Sequence, residues 1–279
     1  MMRPHPRLAG VCGLLAGLVF LVAVPIYNAL VLAPAGYLAA TQAAAGGDFG
    51  PFLLWADAHG AIDAGFRVLE LVPMALALAV PPVVCRLLWP ADARAGRIAL
   101  LAGLAGFTCY AVGIGSGLVT VPGTASDYAH QVAQRPAIAQ HYLGVYAVQL
   151  AVVYVVAGGL IAVFLALVNL RGSATSRFPG WFAYIGLATA GLLAATAVLV
   201  IMTPTQPNPS TSGLALFGLA LWLILMGGLL LRARTGASTP RSVAVVSDAA
   251  PTDPATADTV TGDPAADPAK SATPPTNAN

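Results

Sequence analysis

The chain has 279 residues, of which 58% are hydrophobic and only 9% charged, with a formal net charge of +2. A soluble domain of this length cannot bury so much apolar surface, and its water-facing side needs more charge. The composition excludes a soluble globular domain, makes lipid the expected solvent, and gives no reason to expect a nucleic-acid partner.

Six stretches reach the ~20 apolar residues that a helix needs to cross a bilayer. They are residues 8–32, 61–89, 98–121, 142–170, 181–202 and 214–231. The expected fold is all-α: a polytopic bundle of six transmembrane helices within residues 1–234. Arg3 and Arg7 precede the first stretch, whose long apolar run lacks a prompt small-x-small site. Ala33-Pro34-Ala35 comes late, so the stretch reads as a retained span and not as a cleaved signal. Within it Gly13 and Gly17 form a small-xxx-small pair, as do Gly113 and Gly117 in the third span. Both pairs permit close helix approach, within one chain or between copies in a homo-oligomer.

The first connection, residues 33–60, is the longest. It holds an alanine-rich segment at 39–45, a Gly46-Gly47 break, and Phe49, Phe52 and Trp55. That pattern predicts a helix lying in the membrane interface with aromatic anchors.

The second span carries the chemistry. His59, Asp63, Arg67 and Glu70 are four, four and three residues apart, and Glu70 is the only glutamate in the chain. At ~100° per residue they fall within an arc of about 80° on one helix face. Charge in hydrocarbon is costly, so the stripe must face protein or water. The i,i+4 and i,i+3 spacings allow Arg67 to bridge Asp63 and Glu70. Two readings follow. The stripe is a self-neutralising seam that docks the second span on its neighbours, or Glu70 is a proton- or ligand-binding carboxylate with His59 and Asp63 at its mouth. If Arg86 marks the far end of the span, His59 and Asp63 lie in wet headgroups. Pro73 and the Pro81-Pro82 pair predict kinks in the same span.

The connection at 122–141 holds Asp127, His130, Arg135 and His141. His59, His130 and His141 share one side in the expected topology, where carboxylates would complete a zinc or copper set. No short histidine or cysteine spacing reinforces that reading, and a haem would need paired histidines on facing helices, so no cofactor is expected. In the fourth span Tyr142, Tyr146 and Gln149 share a face that could hydrogen-bond to the second-span stripe; polar side chains between membrane helices serve as packing glue as often as they contact a substrate. Cys12, Cys85 and Cys109 all lie in apolar runs and read as core or lipid-facing residues, without a disulfide framework. P-loop, nucleophile-elbow, zinc-protease and dinucleotide-binding patterns do not occur.

Arginine placement predicts orientation. Arg3, Arg7, Arg86, Arg94, Arg97, Arg171, Arg177, Arg232 and Arg234 all fall on one side of six crossings, and Arg135 on the other. The positive-inside rule then places both termini in the cytoplasm of a cell that carries the protein in its inner, or plasma, membrane. From residue 235 the chain turns to Ala, Thr, Pro, Asp and Ser, a composition expected to remain disordered.

Arg7-Leu8-Ala9-Gly10, Tyr37-Leu38-Ala39-Ala40, residues 66–71, Phe178-Pro179-Gly180-Trp181-Phe182 and Leu221-Trp222-Leu223-Ile224 resemble a family of bacterial six-span membrane proteins, domain of unknown function 4386. The resemblance covers residues 7–231 and implies a fold and topology, with no activity or catalytic residues to carry over. The Pro81-Pro82 pair and the acidic tail depart from the family's pattern. The expected role is a non-enzymatic integral membrane protein, structural or regulatory. The alternative is a small-solute or proton-coupled transporter that uses His59, Asp63, Arg67 and Glu70.

Overall fold

In hydrocarbon no water is available to backbone amides, so a spanning segment must satisfy them internally, which helices do. The structure, a computed structural model, describes residues 6–90, 93–202 and 209–232. The predicted disordered tail therefore lies outside the described residues, as do Arg3, Arg234 and most of the last connection. Six helices are long and apolar enough to cross a membrane: Pro6–Leu32, Gly60–Leu88, Arg94–His130, Val132–Ala174, Gly180–Met202 and Thr211–Arg232. The protein is an all-α, multi-pass membrane protein.

Several spans are not regular. In the first, π-helical stretches at Val19–Ala23 and Asn28–Leu32 flank the turn Val24–Tyr27, which contains Pro25. A proline cannot donate to the preceding turn, and π-type widening accommodates the shift. The second span divides into Gly60–Ala77 and Val80–Leu88, with Pro81 and Pro82 in the first turn of the second piece. The expected kink thus falls before the proline pair, whereas the helix runs through Pro73. In the fourth span a π-helical stretch, Ala151–Ala157, lies between Arg135–Leu150 and Gly158–Ala174.

The third span ends later than the sequence reading. It continues past Val121 and Pro122 to His130, and helix resumes at Arg135, not at Tyr142. Arg135 explains the late stop. Its Nε donates to the Tyr128 carbonyl at 2.9 Å and its Nη2 to that of Ala129 at 3.2 Å, while its guanidinium lies over the Tyr128 ring. These bonds satisfy carbonyls that a helix C-terminus leaves open. At 1.5 Å per residue this helix is roughly 55 Å long, well beyond a hydrocarbon core of about 30 Å.

Two short helices, Tyr37–Ala45 and Gly50–Ala58, cap one end of the bundle, which we term the capped end. A left-handed Gly47 (φ 91°) makes the turn between them, and Asp48 accepts a bond from the Gly50 amide at 3.0 Å. The expected interfacial aromatic anchors require correction. Phe49, Phe52 and Trp55 are 2%, 6% and 7% exposed and face the protein, whereas Leu38 is turned outward. The Trp55 indole donates to the Ala35 carbonyl at 2.6 Å, which ties the cap to the end of the first span.

Packing forms two cores. The larger is centred on Phe107, Phe164, Phe182 and Trp222. The smaller, at the capped end, contains Leu32, Leu53, Phe49, Phe52, Trp55 and Tyr142. In the larger core the Trp222 indole donates to Asn169 Oδ1 at 3.3 Å, and the Asn169 amide donates to the Leu165 carbonyl at 2.7 Å. The glycine pairs are used inside the chain. A Cβ on Gly17 would sit 2.5 Å from the Ala220 carbonyl and from Ile224, and Gly13 abuts Leu223 and Gly227. Gly17→Leu is therefore expected to wedge the first and last spans apart, at a cost of about 1–3 kcal/mol or more. A fall in detergent melting temperature checks this, with Gly159→Leu, at a position open to space, as the control.

Candidate functional site

The stripe on the second span divides into three parts in the structure. Arg67 donates from Nε to Asp63 Oδ2 at 2.7 Å. Asp63 is only 4% exposed, so it is packed in protein, not solvated among headgroups as the sequence reading placed it. The expected double bridge is also corrected. Arg67 pairs with Asp63, and among the described residues Glu70 has neither an ion pair nor a hydrogen bond. Helical side chains lean toward the N-terminus, which carries Arg67 toward the residue four positions back. There its guanidinium presses on Gly117 of the third span, where a Cβ would overlap it. The guanidinium has this room only because position 117 lacks a side chain.

Glu70 faces a cavity of about 480 Å³. The cavity lies between the two cap helices and the second, third and fourth spans. Arg67, Tyr146 and Gln149 line it with Glu70, so four of the six sequence candidates for proton or ligand binding converge. Gln149 also crosses to the third span, donating from Nε2 to the Gly113 carbonyl at 2.8 Å. The fourth-span face thus docks on the third span's glycine face, the packing alternative of the sequence reading, and no hydrogen bond from it to the stripe is formed among the described residues.

Aromatic rings make up much of the remaining wall. Tyr37, Phe49, Phe52, Phe66, Tyr142 and Tyr154 all line the cavity. Phe49 packs edge-on against Tyr142 at 5.4 Å and Tyr146 at 5.1 Å, and Tyr37 lies 6.0 Å from Phe66. Burial raises the Tyr37 phenol well above its ordinary range, so it stays a neutral hydroxyl. Tyr154 belongs to the π-helical stretch of the fourth span, a distortion often found at functional sites. Sequence reasoning missed most of this wall. Part of its signal was present, as Phe49 and Phe52 in the first connection, but that reading took them for anchors in lipid headgroups.

His59 does not join the cavity. Its ring stacks on Trp55 at 5.3 Å, with Nδ1 3.1 Å from the Trp55 carbonyl. His130 lies near the end of the long third helix, with Nδ1 2.8 Å from the Ser126 carbonyl. His141 lines a separate, largely apolar groove of about 510 Å³ between the third and fourth spans. The three histidines are thus not brought together. Among the described residues no group of three or more His, Cys, Asp or Glu is placed to hold a metal ion. Cys12, Cys85 and Cys109 are unpaired thiols, and Cys85 is buried.

Fold and site together define a multi-pass α-helical membrane protein with an aromatic-walled cavity that holds Glu70 at one end of its bundle. No family model, curated protein or solved structure matches the chain.

Proposed function

We propose that this is a non-enzymatic membrane protein that binds a small solute in the capped cavity, with Glu70 as its anchoring group. The observation that carries this reading is the division of labour along one helix. Asp63 neutralises Arg67, while the Glu70 carboxylate lines the cavity and, among the described residues, makes no hydrogen bond or ion pair. An intramembrane carboxylate without a structural partner needs a proton, a ligand or water to offset its burial. The π-helical stretch Ala151–Ala157, which contributes Val153 and Tyr154 to the cavity wall, favours a carrier that releases the solute across the membrane. Discontinuous helices near a binding site are a recurring feature of transporters.

The arginines Arg7, Arg86, Arg94, Arg97, Arg171, Arg177 and Arg232 support a topology in which the cap faces outward and both termini lie in the cytoplasm of the cell that bears this membrane. What supports membership of the bacterial six-span family is the resemblance of the motifs at residues 7–10, 37–40, 66–71, 178–182 and 221–224. The glycine faces that would serve self-association are occupied by the chain's own helices, so the bilayer is the partner this reading requires.

The test is ligand-induced stabilisation of the purified protein by a small-molecule extract of the expressing cells. An extract fraction should raise the melting temperature of the wild type; a ligand at a hundred times its Kd adds about 2.7 kcal/mol. Glu70→Gln should abolish that rise at unchanged membrane abundance. Should Glu70→Gln and Arg67→Gln each lower abundance and the double variant restore it, the stripe is a seam and the binding reading fails.

A further inference from the structure

We infer that the solute is an organic cation, an amine or quaternary ammonium on an apolar body; this rests on the binding reading proposed above. Charge comes first. Glu70 is the one carboxylate that lines the cavity, and Arg67, the guanidinium on the same wall, is already held at 2.7 Å by Asp63, which does not line it; counted with that pair, the charge left for a solute to meet is that of Glu70. An anion would meet that carboxylate, and a neutral solute would leave its charge without a counterpart inside the protein.

The walls then separate organic from inorganic cations. Calcium takes six to eight oxygen ligands and magnesium a tight octahedron. A single carboxylate in about 480 Å³ of largely aromatic space provides neither. Aromatic faces carry negative quadrupole charge and attract ammonium groups, the more strongly when water is excluded. Tyr37, Phe49, Phe66, Tyr146 and Tyr154 supply such rings around Glu70 from the cap and from two spans. The volume lies in the range of sites for small organic ligands.

The test uses three probes of one shape and different charge: para-hydroxyphenyltrimethylammonium, its neutral isostere para-tert-butylphenol, and anionic para-phenolsulfonate. Binding to the purified full chain is measured by calorimetry in detergent. The wild type should prefer the ammonium over the neutral isostere by about tenfold or more, a difference of roughly 1.4 kcal/mol. Glu70→Gln should erase the preference, and Phe49→Leu should weaken it while Glu70 remains. Preference for the neutral or anionic probe overturns the organic-cation assignment, as does failure of all three probes while an extract fraction still binds in a Glu70-dependent way. Failure of the extract and the probes alike overturns the binding reading itself, so the two failures are distinguishable.

Discussion

Asp63→Ala is expected to be among the most destabilising single substitutions in the molecule. The side chain it removes is almost wholly buried and is the partner of Arg67 at 2.7 Å. Removing one member of a buried pair leaves an uncompensated charge and typically costs about 3–5 kcal/mol. The membrane sharpens this, because the freed guanidinium has little water to turn to. Glu70, three residues on, is the nearest alternative partner in sequence, and it is unpaired in the wild type. Glu70→Gln alone breaks no hydrogen bond or ion pair and is therefore expected to cost far less than Asp63→Ala. Added to Asp63→Ala it removes the alternative partner, and the double variant should be the least stable of the three. Detergent melting of the set checks this. Equal losses for Asp63→Ala and Glu70→Gln would contradict it.

Gly117→Val is the second large effect. A side chain there overlaps the Arg67 guanidinium and comes within 3.0 Å of Gln149 Nε2. Overpacking a tight interior costs about 1–3 kcal/mol, and displacing Arg67 from Asp63 adds part of the ion-pair penalty. Even Gly117→Ala should lower the melting temperature and membrane abundance. Two residues earlier, a Cβ on Gly115 meets only Leu71 at 3.8 Å, ordinary contact. Gly115→Ala should therefore be neutral, or stabilising by about 0.5–1 kcal/mol through reduced chain entropy. If the two alanine variants behave alike, position 117 is not the seat of Arg67.

These two sites show what a sequence conveys and what it does not. The spans were legible because the hydrocarbon sets their length, and the stripe was legible because helical geometry fixes which residues share a face. The kink at Pro81-Pro82 followed from the missing amide donors. The stripe's pairing was not legible. Spacing allows Arg67 to reach Asp63 or Glu70, and the choice is made by Gly117, some fifty residues away in the chain. The end of the third span escaped for a similar reason. Pro122 signals a break, but Arg135 secures the last turn from beyond it. Phe49, Phe52 and Trp55 have the composition of interface anchors, and only the fold reveals that they turn inward, Phe49 and Phe52 to line a cavity and Trp55 to pack in the protein near them. Glycine pairs likewise permit close packing without naming the partner. Here Gly17 meets Ala220 and Gly117 meets Arg67, both within the chain.

The central claim is that Glu70 is the group the cavity presents, while Asp63 and Arg67 hold the fold. Accessibility of a thiol at position 70 tests it most directly. With Cys12, Cys85 and Cys109 replaced, Glu70→Cys and, as the buried control on the same helix, Ala77→Cys are each exposed to a cationic, water-soluble methanethiosulfonate in intact membranes. Reaction at position 70 and none at position 77 is the predicted result. A thiol at 70 as unreactive as that at 77 would show that the carboxylate faces packed helix and that the cavity is not its site.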